Sequence, residues 1–86
     1  MKPDQIHQHL KELSEKLGIE VSEQNLKKVG LRVQSGFCKV KDKKMFILDK
    51  HLSMREKNFI LAAFLGKIPH EEIYIVPAIR EFIEKN

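Results

Sequence analysis

Eighty-six residues leave room for one domain with one small core, and the single cysteine, Cys38, excludes both an intramolecular disulfide and a zinc site built of several cysteines. The formal charge is +4, and its excess gathers mid-chain at Lys27, Lys28, Arg32, Lys39, Lys41, Lys43, Lys44 and Lys50. The longest apolar run, Phe59 to Leu65, is far below the roughly 20 residues that span a bilayer. The hydrophobic share of 42% comes in clusters, which argues against disorder. The first residues show no apolar stretch of the signal-peptide kind. The expectation is a soluble, cytoplasmic, single-domain protein with no membrane contact.

The first predicted helix covers about 4–17. Pro3 bars a helix from running in from upstream, and Asp4 is placed to cap the first turn. Ile6, Leu10, Leu13 and Leu17 recur at spacings of four, three and four, which makes one apolar stripe. Gly18 suits the left-handed residue that ends such a helix. Ile19 to Ser22 alternate apolar and polar and predict a short strand, while Ser22 to Lys28 read as a helical turn or a loop. Val29, Leu31 and Val33 restore the alternation. The phase changes at Ser35-Gly36, as a bulge, a kink or a junction of two strands would require.

A β-hairpin is predicted near 36–49. Cys38-Lys39-Val40-Lys41 and Met45-Phe46-Ile47-Leu48 flank Asp42-Lys43-Lys44, a spacing that suits a tight loop without the Asn-Gly or Asp-Gly signature. The second strand is nearly all apolar and reads as the more buried of the two. Ser53-Met54-Arg55-Glu56 then has the form of a capping box and opens a central helix over about 53–65. The second half of that helix is apolar on almost every side, as in helices that touch other elements on several faces. Pro69 prevents its continuation. Ile73 to Val76 form an apolar extended run that packs back on the central helix or offers a surface to another subunit or partner. Pro77 fits the first position of a short last helix over about 77–85, with Ile79, Phe82 and Ile83 on one stripe. The predicted class is α+β: a small antiparallel sheet packed with three helices.

The central phrase resembles the minimal zinc metallopeptidases of the ImmA/IrrE-like group. There, a strand leads into a helix carrying a phrase close to leucine-alanine-histidine-glutamate-leucine-glycine-histidine. Here the strand ends in Ile47-Leu48-Asp49 and the helix reads Leu61-Ala62-Ala63-Phe64-Leu65-Gly66-Lys67. The resemblance puts Ala63 and Lys67 where the family has its zinc histidines, and Phe64 where it has its general-base glutamate. A methyl, a phenyl and an ammonium group can neither hold zinc nor activate water. What it implies is a metal-free relative whose site has become core, with no cofactor and no enzymatic activity. The span from Cys38 to Arg80-Glu81 also resembles small uncharacterised bacterial proteins, which implies no activity.

His7 and His9, two apart on a helix, point about 200° from one another and cannot share a metal. They read, with His51 and His70, as solvated surface residues. Cys38 reads as a structural thiol, because no Cys–His arrangement is visible. The basic hairpin is the strongest remaining hint. Lys39 and Lys41 alternate with Cys38 and Val40, so together with Lys43 and Lys44 they form a candidate contact for phosphates or for an acidic partner. Lysine on an edge strand also guards against sheet-to-sheet aggregation, and Phe37 and Phe46 read as core rather than as stacking platforms. The sequence therefore predicts a non-catalytic binding or interaction module. Its partner is another protein or a second copy of the chain, with nucleic acid as the alternative.

Overall fold

A computed structural model of the protein describes residues 1–25 and 36–86, with the side chain of Val40 left aside. The predicted alternation at Val29, Leu31 and Val33 and the phase change before Gly36 lie outside the described residues. The elements are α1 (Pro3–Lys16), β1 (Ile19–Gln24), β2 (Gly36–Val40), β3 (Lys43–Asp49), α2 (Met54–Leu65) and α3 (Pro77–Lys85). The class is α+β, with three helices and a three-stranded sheet.

Local chemistry sets most of the boundaries. Pro3 takes the first position of α1, where a missing N–H costs nothing. The N-cap is Lys2 rather than Asp4; the Lys2 N–H donates to Gln5 Oε1 at 3.0 Å, and Asp4 sits in the first turn, where its charge complements the helix dipole. Gly18, with φ of 78°, makes the left-handed exit that an L-residue resists. Ser53 caps α2: its Oγ accepts the Glu56 N–H at 3.2 Å and donates to the Glu56 carboxylate at 3.0 Å. Pro77 starts α3.

β3 is the middle strand, in the order β1-β3-β2. β2 and β3 form the expected antiparallel hairpin, with Phe37 opposite Phe46 and Lys39 opposite Lys44. β1 adds on the other side of β3 in parallel, from Ile19 beside Lys44 to Gln24 beside Asp49, which makes the sheet mixed. A parallel neighbour needs a long return connection, and the chain supplies one because residues 25–42, β2 among them, separate β1 from β3 in sequence. This pairing also draws Ser22 to Gln24 into the strand, where the local pattern reads a turn or loop.

The hairpin turn is tighter than the sequence spacing indicates. Val40 pairs with Lys43, so Lys41 and Asp42 alone make the turn, and both have positive φ (48° and 66°). Two positive φ values mark the turn type whose twist matches the strands it joins. Lys43 and Lys44 consequently belong to β3 and not to the loop.

α1 and α2 pack on each other and cover one face of the sheet. Between them lies a core of Leu10, Leu13, Ile19, Phe46, Leu48 and Leu61, continued through Leu65 to Ile79 and Ile83 of α3. α3 docks against the end of α2, where Gly66 lets Ile83 approach closely. Ile75 is buried beside it, whereas Tyr74 is 76% exposed. Among the described residues no helix is long and apolar enough to cross a membrane.

Candidate functional site

Strand pairing decides where the four hairpin lysines go. Partners across a sheet share a face, and the face alternates along each strand. Phe37, Lys39, Lys44 and Phe46 therefore lie on the face that carries the helices, while Cys38, Lys43 and Met45 lie on the other. Lys39 and Lys44 are brought directly opposite one another. Lys43 is taken away from them: its Nζ lies 2.8 Å from Glu20 Oε2. The Glu20 hydrogen bond and charge hold the Lys43 ammonium above its ordinary pKa. Lys41 stands in the turn itself. Among the described residues Lys39, Lys41 and Lys44 make no ion pair.

Phe37 is on the helix face, as its strand parity predicts, but it is 49% exposed. Its ring stacks on Phe64 of α2 (centroids 5.4 Å apart), and Phe64 stacks in turn on Phe46 at 4.3 Å. Phe46 is buried; Phe37 is the outermost ring of the three. An exposed aromatic surface thus sits two residues along the strand from Lys39. The sequence assignment of Phe37 to the core holds for its inner contact alone, because the helices stop short of the sheet edge that carries it.

The same stack includes a residue of the phrase Leu61 to Lys67. Phe64, which the sequence resemblance aligns with a general base, fills the space between two rings. Ala63 is half-buried, and Lys67 is exposed and lies beyond the end of α2 at Leu65. These side chains provide packing and one solvated charge. Among the described residues no three His, Cys, Asp or Glu side chains gather around a point that could hold a metal ion.

A second constellation escaped the residue-type reading. His7, Lys57 and Asn58 are buried, and with Glu23 they tie α1, α2 and β1 together. Asn58 Nδ2 donates to the Pro3 carbonyl at 3.0 Å, which orients its amide and leaves Oδ1 to accept from His7 Nδ1–H at 2.9 Å. That hydrogen bond fixes the His7 ring and turns Nε2 towards Glu23 Oε1, 3.3 Å away. The approach is within ion-pair range but off the line of a good hydrogen bond, so Nε2 has no hydrogen-bond partner. Lys57 Nζ meets the same carboxylate oxygen at 3.2 Å. Burial pushes the Glu23 pKa up, but the Lys57 hydrogen bond and the charges of Lys57, His7 and Lys11 outweigh it and hold the carboxyl below the ordinary glutamate value. The groups face one another across three elements, which makes the cluster an internal tie.

The other candidate residues stay apart. His9 is half-buried, His51 is exposed, and His70 donates from Nδ1 to the Ile68 carbonyl at 2.6 Å. Cys38 is a free, half-buried thiol opposite Met45. An open groove of about 400 Å³ between α1 and the β1–β3 pair is lined by Lys11, Glu15, Glu20, Lys43 and Lys44, so its charges are mixed. No family model, curated protein or solved structure matches the chain.

Proposed function

We propose that the protein is a non-catalytic binding module that meets its partner through the edge of the hairpin. The observation that carries this reading is Phe37, an exposed ring at the end strand of the described sheet, in line with two lysines that have no acidic partner among the described residues. A purely protective edge would carry charge in place of exposed apolar surface. This edge carries both, which is the composition of a contact surface. The residues at the metallopeptidase-like positions support the non-catalytic part, since none can ligate zinc or take a proton from water.

The test is affinity capture from the source cells with wild-type protein and with a Lys39→Glu/Lys44→Glu variant of matched circular dichroism and melting temperature. The expected result is a partner retained by the wild type and lost by the variant. A retained set that does not change overturns the reading. So does stoichiometric zinc accompanied by metal-dependent peptidase activity in the purified protein.

A further inference from the structure

We propose that the partner of this edge is single-stranded nucleic acid, with a base stacked on the open side of Phe37 and the neighbouring phosphates held by Lys39, Lys44 and Lys41. The inference rests on the reading of the hairpin edge as the working surface. It deepens that reading by naming what the surface binds.

The charge pattern is the first argument. The two faces of the hairpin differ. On the outer face Lys43 is matched by Glu20 at 2.8 Å. On the inner face Lys39 and Lys44 stand side by side with no acidic partner among the described residues. Like charges directly opposite across a strand pair repel, and an anion placed between them converts that repulsion into attraction. Lys41, lifted out of the ladder by the turn, adds a third ammonium at the same end. The groove on the far side of Lys44 contains Glu15 and Glu20. That groove also holds Lys11 and Lys43, so its charges largely offset one another, whereas the lysines along β2 face no carboxylate among the described residues.

The ring is the second argument, and it selects the class of polyanion. Phe37 is held from behind by Phe64, so it is presented as a fixed plate with one side open. It lies about 7 Å along the strand from Lys39, two residues of extended chain. An aromatic plate beside a basic track is how sheet surfaces hold single strands: bases stack while lysines follow the backbone. A duplex hides its base faces and offers Phe37 nothing to stack on. An acidic polypeptide satisfies the lysines but covers the ring only where its sequence supplies an apolar side chain, whereas every nucleotide brings a base that can stack.

The experiment is fluorescence anisotropy with the full chain and labelled 15-mers of dT and rU, beside a 15-base-pair duplex, from 50 to 200 mM salt. Single strands are expected to bind more tightly than the duplex. The slope of log K against log salt is expected near about −2 for three neutralised phosphates, and Lys39→Ala/Lys44→Ala should flatten it by about 1.4. Lys43→Ala should leave it unchanged. Phe37→Leu keeps apolar contact with Phe64 but offers no aromatic face, and should weaken binding roughly 5- to 100-fold. Phe37→Trp should preserve it. Equal affinity for duplex, or a Phe37→Leu variant that binds like wild type, overturns the inference. Competition by poly-glutamate as effective as that by the oligonucleotide overturns it and assigns the edge to an acidic protein. Absence of binding at 50 mM salt also overturns it, while lysine-dependent capture of a protein would leave the wider reading standing.

Discussion

Replacing Glu23 with glutamine tests the internal tie that joins α1, α2 and β1. The substitution keeps shape and hydrogen-bonding capacity but removes the charge that Lys57 and His7 share at 3.2 and 3.3 Å. The Lys57 side chain is 10% exposed, so its ammonium is left largely desolvated without a counter-charge. Breaking a fully buried pair costs about 3–5 kcal/mol. The Glu23 side chain is 34% exposed, and water compensates part of the loss, which brings the expected cost to about 1–3 kcal/mol. Against a total stability of about 4–13 kcal/mol for a chain of this length, that is readily measured as a lower urea midpoint. The pH dependence gives the reasoning a sign. The folded pKa of Glu23 lies below the ordinary 4.5, so the carboxylate's contribution is whole above that value and drains away as pH falls through the folded pKa. The gap between wild type and Glu23→Gln should therefore be full at pH 7 and close as pH falls through the lowered folded pKa of Glu23. Adding Lys57→Met to Glu23→Gln should recover much of the loss, because the stranded charge is gone. A Glu23→Gln variant within about 0.5 kcal/mol of wild type at pH 7, or a gap that persists unchanged in acid, would refute the argument.

Three further substitutions probe the turns and the metallopeptidase-like phrase. Asp42→Gly relieves a left-handed L-residue in the hairpin turn and should raise stability by about 0.5–1 kcal/mol, read from urea unfolding. Gly18→Ala meets no neighbouring atom but must adopt φ near 78°, so it should cost about 1–2 kcal/mol by the same assay and leave the circular dichroism unchanged. The triple change Ala63→His, Phe64→Glu and Lys67→His should destabilise the fold without creating a zinc site. It puts a carboxylate between two phenyl rings and one histidine beyond the helix end; tight zinc binding in a chelator competition, with a raised melting temperature, would contradict this.

Helices were the legible part of this fold because each carries its own start, stop and stripe. Pro3, Gly18, Ser53 and Pro77 act through neighbours a few residues away, and their positions bound the helices to within a residue or so. The sheet was less legible because its pairings are distant. The strand character of Ser22 to Gln24 comes from Ile47 to Asp49, which no local pattern displays. Nothing in Lys41-Asp42 resembles the Asn-Gly of a two-residue turn, so alternation suggested a longer loop. At the buried tie, spacing held the answer and residue type concealed it. His7, Leu10 and Ser14 repeat the three-four interval of the neighbouring apolar stripe, as do Asn58, Leu61 and Leu65, yet a histidine and an asparagine suggest solvent. The exposure of Phe37 was not recoverable from its own strand, since parity gives the face of a residue and not how far the helices reach across it.

The distribution of local conflict in the molecule bears on its function. At several helix ends local preference and fold agree: a serine caps, a glycine turns left-handed, and prolines begin helices. The hairpin edge departs from this in three ways within eight residues. Lys41 adopts positive φ, at a cost of about 1–2 kcal/mol. Lys39 faces Lys44, a like-charge pair that works against the strand pairing. Phe37 leaves half of its ring in water. Stability alone accounts for none of these, and an asparagine, a glutamate and a threonine at the three positions would ease each in turn. A bound polyanion reverses the sign of the second and third at once: the facing ammonium groups acquire a shared counter-charge and the ring acquires a cover. Only the strained turn is left, and it is the feature that swings Lys41 to the same end of the sheet as the other two lysines. Sites where sequence preference and structure disagree tend to be sites of function; among the described residues one such disagreement is buried, at His7, Lys57 and Asn58, and the exposed ones named here share the hairpin edge.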